Sequence, residues 1–119
     1  MDKVSVIMPC FNDGAYIQEA IDSVLKQTYQ NIEIIIIDDG SDDENTKKII
    51  DELSHPKIRV LHTQRLRPAG ARNYGISHAE GKYILPVDSD DRIEPDYVEK
   101  AIKIMESNEN IGVVYCYAD

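Results

Sequence analysis

Ile32-Glu33-Ile34-Ile35-Ile36-Ile37-Asp38-Asp39-Gly40-Ser41 is the stretch that decides the architecture. From Ile32 to Ile37 it is almost continuously aliphatic. A strand with one wet face would alternate apolar and polar residues; this one reads as buried on both faces, as in a parallel sheet covered by helices. It stops abruptly at two aspartates, a glycine and a serine.

The segments on either side alternate in kind. Val4-Ser5-Val6-Ile7-Met8 is β-branched and ends at Pro9, so it predicts a strand. Asn12 and Asp13 are N-cap residue types, and Ile17, Ala20, Ile21, Val24 and Leu25 then follow helical spacing to about Gln27. Thr46, Ile49, Ile50 and Leu53 repeat that spacing before Pro56, and Ile58–Leu61 predicts a third strand. A polar, arginine-bearing stretch, Thr63–Gly70, leads to a predicted helix over Ala71–Ala79, stopped by Gly81. Tyr83–Val87 predicts a fourth strand. Pro95 suits the first turn of a last helix carrying Val98, Ala101, Ile102 and Met105 on one face. Val113–Tyr117 predicts a fifth strand. Strict β-α alternation implies an α/β fold: a three-layer, open, mostly parallel sheet with helices on both faces and right-handed crossovers.

The 119 residues allow one domain. Thirteen Lys and Arg stand against 22 Asp and Glu, a formal net charge of -9. That excludes an ordinary nucleic-acid binder, which needs a basic face to replace phosphate counterions. With no Trp and one Phe, the core must be built mainly from Ile, Val, Leu and Ala. Cys10 and Cys116 each sit in an apolar run and are expected to be reduced and buried. The start shows no basic segment followed by an apolar one, and the longest aliphatic run, Ile34–Ile37, is far too short to span a membrane; the expected location is cytoplasmic.

Ligands of open α/β sheets bind beyond the carboxyl ends of the strands. The residues there are Pro9-Cys10-Phe11-Asn12, then Asp38 to Asp43, then Gln64, Arg65 and Arg67, then Asp88-Ser89-Asp90-Asp91. Helix capping accounts for one aspartate per helix, not for such density. A hard divalent cation, which takes oxygen ligands and shares them with a phosphate, accounts for it better.

Four segments in this order resemble the family-2 glycosyltransferases of the GT-A fold. They are Val4 to Asn12, Ile35 to Ser41, Gly70-Ala71-Arg72-Asn73-Tyr74-Gly75-Ile76 and Gly81 to Asp91. The resemblance implies transfer of a sugar from a nucleotide-sugar donor, a UDP-sugar, to an acceptor hydroxyl with inversion. It implies residues 1–119 as the nucleotide-sugar-binding part of that domain, ending before the acceptor-binding part. By the same resemblance Pro9, Phe11 and Asn12 wall the base pocket, the alternative for Phe11 being an ordinary core aromatic. Asp39 accepts a hydrogen bond from the base, and Asp38 caps or holds the loop. Asp90 coordinates Mg2+ or Mn2+. Asp88 contacts the ribose or donor sugar, or reaches the metal through water, with Ser89 between them at the donor. Asp91 is an alternative ligand or a helix cap. Arg72 supports the phosphates or braces the acidic loop.

Upstream of Ala71-Arg72-Asn73 the sequence departs from the family's common Asn-x-Gly-x-Ser run. Arg65-Leu66-Arg67-Pro68-Ala69-Gly70 stands there instead, and its arginines reach the phosphates or form a solvated loop. No residue matches the family's base, which is expected beyond Asp119, so the chain alone is expected to transfer no sugar. The resemblance further implies cell-wall or polysaccharide synthesis, with the full-length protein at the inner face of the membrane.

Two other readings of the sequence compete. A receiver domain of two-component signalling needs an acidic pair after strand one, an Asp after strand three and a Lys after strand five; Pro9-Cys10-Phe11-Asn12, Leu61-His62-Thr63 and Tyr117-Ala118-Asp119 supply none of these. A non-catalytic nucleotide-binding or assembly module shares the donor site but lacks the chemistry. His55, His62 and His78 are scattered and receive no role. The apolar strand around Ile111, Val113, Val114, Tyr115 and Tyr117 predicts a two-fold homodimer through strand five or the neighbouring helix, the alternative being a central strand five and a monomer.

Overall fold

Alternate residues of β2 (Ile32–Asp39) serve two different cores. In this computed structural model, which describes residues 2–107, Ile34 and Ile36 face one cluster and Ile35 and Ile37 the other. That is the physical content of a strand buried on both faces: side chains alternate with period two, so both sets must be apolar.

Four parallel strands form the sheet in the order β3-β2-β1-β4, with β1 at Val4–Cys10, β3 at Ile58–Thr63 and β4 at Tyr83–Pro86. Helix α1 (Gly14–Leu25) packs Ile17, Ala20, Ile21 and Val24 against Val4, Val6, Met8, Ile34 and Ile36. Ile50 of α2 (Glu44–Asp51) and Val98, Ala101, Ile102 and Met105 of α4 (Tyr97–Ser107) join the same core. Helix α3 (Arg67–Ser77) covers the opposite face, where Ala71 meets Ile7, Ile35 and Ile37. The approach is close because Gly75 has no side chain: a Cβ there would lie 2.5 Å from Ile37 Cδ1 and 2.9 Å from Ile7 Cγ2.

The division of helices follows from the strand order. The chain moves outward from β1 to β2 to β3 and then returns past β1 to β4. Right-handed crossovers put α1 and α2 on one face and the returning helix α3 on the other. The reversal creates a topological switch point between β1 and β4, and their carboxyl ends carry Cys10-Phe11 and Asp88-Ser89-Asp90.

Several boundaries differ from expectation. Helix α3 starts at Arg67, not Ala71, because Pro68 lies in its first turn, where a missing N–H costs nothing. Helix α4 starts at Tyr97, so Pro95 precedes it and its carbonyl accepts the Thr28 N–H at 2.8 Å. Strand β2 runs on through Asp38 and Asp39, pairing with His62 and Thr63 of β3. The expected fifth strand, Cys116 and the surface expected to dimerise lie outside the described residues. Among the described residues, no helix is long and apolar enough to cross a membrane.

Candidate functional site

A cleft of about 340 Å³ opens at the switch point. It is lined by Pro9, Cys10, Phe11, Asp13, Asp39, Arg65, Pro68, Arg72, Asp88, Ser89 and Asp90. A larger groove of about 510 Å³ runs along α1, between Glu19, Asp22, Ser23, Lys26 and the Arg92–Pro95 segment, away from the strand tips.

One wall is Phe11 and Asp39. Phe11 is half-buried and belongs to neither apolar cluster, so it is not an ordinary core aromatic. The Arg65 guanidinium carbon lies 3.8 Å from its ring centroid. Asp39 is 2% exposed in its side chain. Its Oδ1 accepts from the Thr63 hydroxyl at 2.7 Å and the Leu66 N–H at 2.5 Å; its Oδ2 accepts from the Arg67 N–H at 2.8 Å and Arg65 Nη1 at 3.1 Å. Burial pushes this carboxyl upward, but Thr63, the two backbone N–H groups and Arg65 outweigh it and hold the group below its ordinary value. Gly40 makes the arrangement fit. It has φ +75°, and a Cβ there would stand 3.0 Å from the Arg65 backbone nitrogen.

The facing wall is the loop after β4. Asp88, Asp90 and Asp91 each offer a carboxylate oxygen, all within 4.8 Å of one another. Burial first, then the charges of Asp90 and Asp88, push the Asp91 carboxyl up. None of the three caps a helix, because residues 92–96 separate them from α4. Capping therefore does not explain them, whereas it does explain Asp43, whose Oδ2 accepts the Thr46 N–H at 3.0 Å. An all-oxygen carboxylate set fits a hard divalent cation of the Mg2+ or Mn2+ type.

Between the walls stands Arg72 of α3. Its Nη2 is 3.9 Å from Asp88 Oδ1, and its buried Nε is, among the described residues, the side-chain polar atom left without a partner. A guanidinium in that state supplies a free donor to an anion in the cleft.

Not every expected residue lines the cleft. Asn12 braces instead: its Oδ1 accepts the N–H groups of Asp42 and Asp43 at 3.0 Å each, and its Nδ2 donates to Asp42 at 2.8 Å. Its φ of 56° is one that asparagine tolerates. Asp38 accepts the Ser41 N–H at 3.1 Å and lies 3.1 Å from His62 Nδ1, outside the cleft lining. Ser89 is 2% exposed and donates to Asp13 Oδ2 at 2.7 Å. The sequence reads Asp13 as a cap and Cys10 as a buried core thiol, and the structure places both in the cleft lining. Asp13 takes the N-cap position of α1 but makes no cap hydrogen bond with its side chain; burial pushes the Cys10 thiol up to about 11 and keeps it protonated. Nothing in the local sequence separates an aspartate that caps from one that receives Ser89.

Comparison with known proteins identifies the family and the fold. The family model "Glycosyl transferase family 2" matches residues 5–119. Glycosyltransferase GlyG of Streptococcus pneumoniae serotype 4 is 42% identical over 122 residues, covering 98% of this chain and 40% of that protein. Hyaluronan synthase of Pasteurella multocida is 39% identical over 114 residues, covering 94% and 12%. The chain spans less than half the length of these curated relatives. Among solved structures, S. aureus TarS in complex with UDP-GlcNAc superposes with a TM-score of 0.77 at 30% identity, over 90% of this chain and 32% of that one. The mannosyltransferase PcManGT of Pyrobaculum calidifontis, in complex with GDP-Man and Mn2+, gives a TM-score of 0.79 at 25% identity, over 87% and 32%. The fold, the order of its motifs and these matches lead to one conclusion: the chain belongs to glycosyltransferase family 2 and has the GT-A fold.

Proposed function

We propose that the cleft binds a nucleoside-diphosphate sugar, a UDP-sugar, and that the chain is the donor-binding part of an inverting transferase. The observation that carries this is the composition of the cleft: an aromatic face and a carboxylate on one wall, Asp88 and Asp90 of the acidic cluster on the other, and an incompletely satisfied arginine between them. A base, a diphosphate and a cation need these three environments in this order. The complexes of TarS with UDP-GlcNAc and of PcManGT with GDP-Man and Mn2+ support the same reading.

In this reading Pro9 and Phe11 form the face for the base, and Asp39 offers its acceptor. Asn12 and Asp38 hold the loops that shape the pocket. Arg72 donates to the diphosphate. Asp90, with Asp88 beside it, holds Mg2+ or Mn2+, and Ser89 fixes their loop. The bound cation would neutralise charge on the leaving diphosphate. That answers how a chain of net charge -9 can accept an anionic donor. A base beyond Asp119 would take the proton of the attacking acceptor hydroxyl, whether on a sugar, a lipid or a protein. The 119 residues alone would therefore transfer nothing. Cytoplasmic work at the inner membrane face in cell-wall or polysaccharide synthesis suits such a donor.

Calorimetry of UDP binding, with and without Mn2+, tests the proposal. Tighter binding with Mn2+, lost in Asp90→Ala, is expected. Equal affinity in both conditions would remove the metal from the site, and no binding in either would remove the nucleotide.

A further inference from the structure

Asp39 has no acceptor capacity to spare. A carboxylate offers about four lone-pair sites, and Thr63, Leu66, Arg67 and Arg65 use four. A base N–H can reach this carboxylate only by displacing one of them. Three are fixed by the fold: the Thr63 hydroxyl at the end of β3, and the consecutive backbone N–H groups of Leu66 and Arg67 leading into α3. The fourth, Arg65 Nη1, has the longest contact of the set, 3.1 Å, and belongs to a side chain that is 34% exposed. It can leave by rotation of its own side chain while the backbone stays in place.

The same guanidinium also covers Phe11, at 3.8 Å from its centroid. Phe11 is the aromatic residue of the cleft lining. A planar, N–H-bearing group is thus stacked on the ring and donating to Asp39. Those are the two contacts that a planar base with an N–H edge would need there. Where Arg65 to reach a phosphate, it would first have to abandon both.

We propose that Arg65 is a displaceable latch on the base slot, a residue of this chain that occupies the Phe11 face and the Asp39 carboxylate until a nucleotide base replaces it. The inference rests on the nucleotide-binding reading of the cleft. It reverses the sign of the obvious expectation. An arginine that contacts the donor strengthens binding, so its removal weakens it. A latch subtracts from binding, because only the unlatched fraction is competent. An exposed cation–π contact alone corresponds to about a fivefold population ratio.

The chain contains one Phe, so incorporating fluorophenylalanine puts a single fluorine reporter at Phe11. Arg65→Met removes the fork and the charge while keeping the length of the stem. The expected results are a shifted fluorine resonance in the nucleotide-free variant, and about fivefold tighter binding of UDP with Mn2+ than in the wild type. Arg65→Lys, which keeps a cation without the planar fork, should fall between them and serves if the methionine variant does not fold. An unshifted nucleotide-free resonance would show that Arg65 does not sit on Phe11, and would overturn the latch. Equal or weaker binding by the variant would overturn it too, weaker binding making Arg65 a donor contact. A shifted resonance with no binding of UDP and Mn2+ to either protein would instead bring down the nucleotide reading, and the gating role with it.

Discussion

Ser89 Oγ donates a 2.7 Å hydrogen bond to Asp13 Oδ2, tying the loop after β4 to the start of α1. The two residues are 76 positions apart in the chain and meet where the sheet reverses its order. The bond turns Ser89 inward and leaves its neighbours Asp88 and Asp90 exposed. One buried hydroxyl thus sets the direction of two carboxylates.

Ser89→Ala should therefore cost stability and weaken metal-dependent binding together. A hydrogen bond to a charged group contributes about 1.5–3 kcal/mol. Urea unfolding should show a loss of that order, and calorimetry a weaker response of UDP binding to Mn2+. An unchanged unfolding midpoint would mean that solvent replaces the bond at no cost.

Asp39 links stability to pH. Its carboxyl is held below the ordinary value of 3.8. A depressed folded-state value contributes stability that is present above 3.8 and lost as pH falls through the folded value. Asp39→Asn should be destabilised by about 1.5–3 kcal/mol at neutral pH, since an amide nitrogen would face the Leu66 or Arg67 N–H. The difference from wild type should shrink as the wild-type carboxyl protonates in acid. Parallel stability curves down to pH 3 would contradict it.

Arg67 has φ +71° and its N–H bonds to Asp39. A side chain in that region costs about 1–2 kcal/mol, and glycine gives back roughly 0.5–1 kcal/mol in unfolded-chain entropy. Arg67→Gly keeps the N–H and should raise stability by about 0.5–1 kcal/mol in urea. A fall would show that the Arg67 side chain contributes more than its backbone strain removes.

Gly75→Ala tests the packing that brings Arg72 to the cleft. The added methyl would meet Ile37 and Ile7 at less than 3 Å. Overpacking costs about 1–3 kcal/mol, against roughly 1 kcal/mol gained in helix propensity. Net destabilisation is expected by thermal melting; a stabilised variant would mean that α3 can shift outward freely.

Much of the fold was legible because its determinants are local and repetitive. The Ile34–Ile37 run requires apolar neighbours on both faces, and the spacing of Ile17, Ala20, Ile21 and Val24 supplies one of them. Boundaries were less legible. Within Thr63–Gly70 only Pro68 marks the start of α3, and the loop before it is held by Asp39, a residue from another strand that the local sequence does not show.

The sequence by itself determined the alternation of strands and helices, the two-sided burial of β2 and the clustering of acidic residues after β2 and β4. These depend on side-chain periodicity and on what can follow a buried strand. Only the tertiary structure decided what each polar residue does. Asp43 caps a helix while Asp13 receives Ser89, and Asn12 braces a loop while Phe11 faces the cleft. Asp39 is filled by donors 24 to 28 residues away. A carboxylate's role depends on which donors lie within about 3 Å, and the strand order brings those donors together, not their neighbours in the chain.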